Sequence, residues 1–264
     1  MSDKKNSTSL MLPILISVLK TVLSLIPALI YLVVIYFTVP YGVLSVRKML
    51  SYLFCGVISV GLLLVFFRIF PFWQDTVVLP ISIFGGVDDS RFIEAFIQIA
   101  LLEEFSKFIG LYIGNKANDD IEPMAIMIYS GVVALGFSFI ENVQYSIMYG
   151  AECLVVRSIS TMILHLVCGL IIGYWVALGN LEPNKTRTIL DVFLKKFNLR
   201  KVAFAVSGIF FAASIHGIFD FNLSVDSSDT TTLMILIIMV GVLITYICSR
   251  DLLRRQNSQY FSEF

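Results

Sequence analysis

Charge is scarce in this chain. Only 14% of its 264 residues are Asp, Glu, Lys or Arg, against about 25% in an average soluble domain, while 58% are hydrophobic and mean hydropathy is +0.87. The fold class left by that balance is all-α: a polytopic transmembrane helical bundle of about seven or eight spans, each needing roughly 20 apolar residues. Basic tracts are missing as well. Nineteen Lys and Arg offset 19 Asp and Glu, and no cluster resembles a phosphate-reading footprint, so nucleic acid is excluded as a partner. The four cysteines, Cys55, Cys153, Cys168 and Cys248, lie in or beside apolar segments without a CxxC spacing. That excludes a disulfide framework and a thiolate zinc site. Histidine is rarer still: His165 and His216 are the only two, and no HExxH occurs. No small-residue cleavage pattern follows Lys4 and Lys5, and the apolar run behind them continues to Val39, so this segment is expected to be retained and not removed as a signal peptide.

What is present is a succession of apolar segments. Residues 11–39 exceed one upright crossing and contain Lys20 and Pro27, which predicts an interfacial or first membrane segment over 1–23, with Lys20 snorkelling, and a span from about Ser24 to Val39. A second span is expected from Ser51 to Phe70, closed by Pro71 and the interfacial Trp73. The apolar run from Thr76 to Gly86 is too short to cross and reads as a loop, a surface segment or a re-entrant one. The third span covers residues 92–114, the fourth runs from Glu122-Pro123 to Tyr149, and the fifth, Val155 to Leu178, carries Gly169 and Gly173 at a spacing that lets helices approach closely. Lys185, Arg187, Lys195, Lys196, Arg200 and Lys201 make 180–201 the one sizeable basic loop, with an amphipathic surface helix expected over Ile189 to Phe197. The sixth span runs from Val202 to Asp220, and an acidic loop with Asp226 and Asp229 follows. The seventh span ends before Arg250. By the positive-inside rule the basic loop and a C-terminal tail, 250–264, face the cytoplasm, which leaves 24–249 as the membrane domain.

The organising stretch is Leu101-Leu102-Glu103-Glu104-Phe105-Ser106-Lys107-Phe108, two carboxylates and an ammonium amid an otherwise apolar span. Each such group costs roughly 3 kcal/mol at a bilayer centre, so the cluster needs partners. On a helix Lys107 reaches Glu103 at i, i+4 or Glu104 at i, i+3, but not both equally, which leaves one carboxylate to face a cavity. Glu141, His165, His216 and Asp220 are the other ionisable groups in apolar surroundings, and they are expected to converge on the glutamates. Each has a bland reading beside the chemical one. The glutamates and Lys107 can be a structural ion pair, Glu141 a buried hydrogen-bond partner for Lys107, and each histidine a satisfied packing residue. His216 and Asp220, at i, i+4, form a pair in which the carboxylate orients the imidazole or both face one ion.

In order along the chain, Glu103-Glu104-x-x-Lys107, Gly136-Phe137-x-x-x-Glu141-Asn142-x-x-Tyr145, Arg157 with His165-x-x-x-Gly169-x-x-x-Gly173, and His216-x-x-x-Asp220 resemble the PrsW family of intramembrane proteases; Ile26-Pro27-Ala28-Leu29 is similar to that family's start. The resemblance runs from about residue 24 to 222. It implies a multi-pass enzyme of the bacterial cell membrane that cleaves a membrane-anchored regulatory protein of the anti-sigma-factor type. The CAAX-processing and bacteriocin-immunity proteases are similar, but they carry Glu-Glu-x-x-x-Arg, a histidine in place of Glu141 and an asparagine in place of Asp220. An ionised Asp220 does not donate the oxyanion hydrogen bond assigned to that asparagine.

Two mechanisms stay open. Glu103 or Glu104 takes a proton from water while His165 or His216 orients it, with Lys107, Glu141, Asn142 and Asp220 in support. Alternatively His165, His216 and a carboxylate, Asp220 being the nearest in sequence, bind Zn2+, which activates the water. A proton- or ion-coupled transporter also keeps carboxylates in mid-membrane, though it predicts internal repeats and this chain has no second copy of the glutamate motif. A non-catalytic scaffold or immunity protein is the third class.

Overall fold

The computed structural model describes residues 3–39, 42–74, 87–118, 122–181, 199–225 and 229–262. The apolar run 76–86, the expected amphipathic helix at 189–197 and Asp226 lie outside the described residues. Nine helices are described: α1 (Asp3–Thr38), α2 (Val46–Ile69), α3 (Val87–Ile93), α4 (Leu101–Ala117), α5 (Pro123–Tyr149), α6 (Cys153–Ile159), α7 (Thr161–Asn180), α8 (Leu199–Ser224) and α9 (Thr230–Ser262). A short 3-10 turn, Pro71–Gln74, extends α2, and a π-helical segment, Glu94–Ala100, joins α3 to α4 without a break. There are no strands among the described residues.

Six of these segments are long and apolar enough to cross a membrane: Pro13–Thr38, Val46–Ile69, Pro123–Tyr149, Cys153–Asn180, Leu199–Ser224 and Thr230–Ser258. With the charged helix of residues 87–117 packed among them they form the expected polytopic bundle. The boundary drawn at residue 23 falls within α1, which continues through both Pro13 and Pro27. Helix ends follow local chemistry. Pro123 opens α5 at a position where its missing N–H costs nothing, and Gly150, at φ +95°, ends it in a conformation that side chains with a Cβ avoid.

α5 is the centre of the bundle. Its residues from Ala125 to Ser138 are buried on every side, as expected of a helix that is apolar all round and surrounded by others. It packs most extensively against α7, then α2, and α1 lies across it. Small residues set these crossings. A Cβ added to Gly169 would stand 2.6 Å from that of Ala134, and one on Gly173 2.6 Å from that of Ser130, so the pair predicted from spacing does bring α7 onto α5. Gly56 of α2 and Gly136 of α5 meet in the same way, each against the other helix's backbone carbonyl oxygen, of Val133 and of Leu53. The bundle's outer faces are apolar. Ile30, Val33 and Val34 of α1 and Leu236, Met239 and Leu243 of α9 are exposed, which suits each face to contact with lipid.

Candidate functional site

Four helices that meet at the C-terminal half of α5 supply the polar residues. α4 brings Glu103, Glu104 and Lys107, α5 brings Glu141 and Asn142, α7 brings His165, and α8 brings His216 and Asp220. The π-helical turn leads into α4, its Leu101 N–H reaching back to the Phe96 carbonyl at i−5. Such turns break the regular register, and they recur at functional sites. Phe96 packs against Gly217, where a Cβ would lie 2.6 Å from the ring. That close approach sets His216, the neighbouring residue, against α4.

Lys107 is the hub. Its Nζ donates to Glu104 Oε1 at 2.7 Å, lies 3.7 Å from Glu103 Oε2, sits 4.4 Å from the centre of the Phe137 ring, and is 2.7 Å from His165 Nδ1. Lysine is donor-only, so Nδ1 accepts and the His165 proton is on Nε2. That nitrogen donates to Glu141 Oε2 at 2.6 Å. Glu141 Oε1 in turn pairs with Arg157 at 2.8 Å, and Arg157 Nε donates to Asn142 Oδ1 at 2.8 Å. On the other side His216 Nδ1 donates to Glu104 Oε1 at 2.7 Å, while its Nε2 faces Asp220 Oδ2 at 3.3 Å and Glu103 Oε2 at 3.9 Å. The two imidazole centres are 5.0 Å apart. The chain from Arg157 to Asp220 is thus one connected network through four helices and α6.

The two glutamates divide as their spacing requires. Glu104 is fully buried and bound by Lys107 and His216. Glu103, 13% exposed, lines a cavity of about 380 Å3 with Glu94, Gln98, Gln144 and Tyr145, walled by Val60, Leu63, Leu64 and Phe67 of α2. Its Oε2 has no hydrogen-bond partner. All eight residues singled out from sequence lie in the network, though Asn142 reaches the rest only through Arg157. Arg157, named in the ordered motifs but not among the candidate site residues, joins them here. The signal available was that it is the one cation between Pro123 and Asn180, and burying it without carboxylate partners is costly.

A family model described as PrsW family intramembrane metalloprotease matches residues 45–247. The chain belongs to the PrsW family. "Protease PrsW" of Oceanobacillus iheyensis is 31% identical over 160 residues, 60% of this chain and 67% of that protein. Its counterpart in Geobacillus kaustophilus is 33% identical over 119 residues, 44% of this chain and 53% of that protein, and the one in Bacillus subtilis is 30% identical over 121 residues, 45% and 54%. The chain therefore spans about two thirds of the first relative's length and about half of the other two. No solved structure matches significantly. The resemblance drawn from the ordered motifs is borne out, as is a multi-pass bacterial membrane protein.

The metal implied by the family's description can be tested against the residues. Glu103, His165 and His216 each offer one ligand atom, all within 4.8 Å of one another. Two imidazoles and a carboxylate are a zinc-enzyme donor set. His216 Nε2 lies against two carboxylates, of Asp220 and Glu103, and the buried Glu103 Oε2 has no hydrogen-bond partner. Both features call for a cation, so the donor set fits. The carboxylate that groups with both imidazoles is Glu103, while Asp220, the acid expected beside them, stands against His216.

Proposed function

We propose that this PrsW-family chain is an intramembrane endopeptidase that hydrolyses a peptide bond of a membrane-anchored regulatory protein, of the anti-sigma-factor kind, in the cavity beside Glu103. The observation that carries the proposal is the meeting of Glu103, His165 and His216 within 4.8 Å inside a membrane-spanning bundle, next to a cavity large enough for a few residues of extended chain. The basic loop at 180–201 supports a topology with that loop and the C-terminus in the cytoplasm of the bacterial cell.

Glu103, His165 and His216 would hold a divalent ion such as Zn2+, which supplies Lewis acidity that makes water nucleophilic at neutral pH and polarises the scissile carbonyl. The chain's own groups prepare that chemistry. Glu104 fixes the tautomer and tilt of His216, and Glu141, held by Arg157, does the same for His165. The α2 wall of the cavity is apolar, which strengthens the interactions of charges formed beside it. Lys107 offsets part of the negative charge of Glu103 and Glu104.

One observation favours a second reading in which no metal takes part: both nitrogens of His165 are already hydrogen-bonded, to Lys107 and Glu141. In that case Glu103, whose side chain lines the cavity, takes the proton from the attacking water and returns it to the leaving amine. Both readings require Glu103. In proteoliposomes carrying an anchored peptide, cleavage is expected to fall at least about a hundredfold in Glu103→Gln with the melting temperature unchanged, a size usual for loss of a group at the reacting centre. Wild-type rates in Glu103→Gln would end the proposal. Metal content and sensitivity to a chelator then separate the two readings.

A further inference from the structure

We infer that the Lys107 ammonium is a built-in competitor for the metal, so that a divalent ion enters this site only when Lys107 withdraws from His165. The inference rests on the metal form of the reading above and adds how that site is controlled. It follows from counting hydrogens and lone pairs. An imidazole ring with one N–H has one lone pair to give, and Lys107 has none. With Nζ 2.7 Å from Nδ1, that lone pair is spent on the ammonium, and Nε2 carries the hydrogen it donates to Glu141 at 2.6 Å. His165 therefore has nothing left for an ion. An ion at Nδ1 takes the place of the ammonium. An ion at Nε2 forces the proton onto Nδ1, where it points at another N–H. Either way the contact between Lys107 and His165 breaks.

The surroundings make the exchange sharp. Lys107 is 2% exposed and His165 not at all, so no solvent layer screens an ammonium from a dication a few ångströms away. The lysine also has somewhere to go. Glu104 Oε1 holds it at 2.7 Å, and the Phe137 ring lies 4.4 Å away, so it keeps a carboxylate and an aromatic face after leaving the imidazole. Glu103, 3.7 Å from Nζ, is shared between the two cations. The same ion thus has to outbid an ammonium for two of its three ligands, and the third, His216, stands clear of Lys107's hydrogen bonds.

Cobalt(II) serves as probe, because its visible absorption reports ligand number and its affinity is read by equilibrium dialysis. The full chain in detergent is compared with Lys107→Met and Lys107→Gln, of which either serves if the other melts below the working temperature. Cobalt is expected to bind the variant at least tenfold more tightly than wild type, and the gain is expected to vanish when His165→Ala is added. Equal affinity in wild type and variant, with binding lost in His165→Ala, overturns the inference and leaves the metal reading intact. No binding by any of the proteins overturns both, while cleavage that depends on Glu103 would still stand. An independent check uses wild type alone. Imidazole 15N spectra of the metal-free protein, with only two histidines to assign, are expected to show His165 protonated on Nε2, and a proton on Nδ1 overturns the inference.

Discussion

The guanidinium carbon of Arg157 stands 3.6 Å from the centre of the Tyr145 ring while the same group binds Glu141 and Asn142. Stacked on one side and hydrogen-bonded at its edges, it holds Glu141 in the orientation from which that carboxylate accepts the His165 proton. A lysine offers a point charge without the plane or the fork. Arg157→Lys is therefore expected to lower kcat about tenfold, the scale on which supporting contacts act, and to leave KM close to wild type. Steady-state cleavage at varied substrate checks this, and an unchanged kcat would reduce Arg157 to a packing role.

Glu103 and Glu104 are neighbours with different duties, and stability separates them. Removing Glu104 strips Lys107 of its 2.7 Å partner and His216 of its acceptor in a fully buried place, which costs about 3 kcal/mol or more. Glu103 lines the cavity and holds Lys107 only at 3.7 Å. Thermal melts in detergent should show Glu104→Ala well below Glu103→Ala. Equal midpoints would mean the two carboxylates carry the buried charge together.

The crossing of α2 over α5 depends on two missing side chains. A Cβ on Gly136 or Gly56 would collide with the facing backbone, whereas one on Gly61, in the same α2, meets nothing within 4 Å. Gly136→Ala and Gly56→Ala are expected to cost about 1–3 kcal/mol by forcing the helices apart. Gly61→Ala should be neutral or slightly stabilising, since alanine is the better helix former. Melting temperatures of the three variants decide it.

Leu64 lines the cavity and is 51% exposed, so a larger side chain there takes up the cavity's space without disturbing the core. Leu64→Trp is expected to lower cleavage of an anchored peptide several-fold through KM, with the melting temperature within a few degrees of wild type, as surface changes usually leave it. A variant that cleaves normally would place the substrate on some other wall.

Much of this architecture is legible before any coordinates. Gly169 and Gly173 sit four residues apart in an apolar run, and the contact they make is the one that spacing predicts. The convergence of Glu103, Glu104, Glu141, His165, His216 and Asp220 follows from the cost of leaving any of them facing lipid. The partner chosen by Lys107 does not follow. Both glutamates are within its reach on a helix, and the choice of Glu104 comes from His216 arriving on α8 to share the same oxygen. The partners of Arg157 are hidden for a related reason: its place in the ordered motifs does not say which carboxylate it meets until the helix beside it supplies Glu141. The continuity of α1 through Pro13 and Pro27 is also hidden, because proline normally argues for a break.

The wide turn at residues 94–100 leaves no mark in the sequence, since one hydrogen bond closed a residue late has no preferred composition. Its mechanical meaning is plain once the turn is known. Ordinary α-helical winding advances about 100° per residue, so deleting a single position there would straighten the register and swivel α3, with Glu94, by roughly that angle, while Glu103 and the imidazoles stayed put. Glu94 at the cavity's rim and Glu103 deeper in it are carried on two halves of one rod joined by a slipped thread, and the first can be re-aimed without disturbing the second.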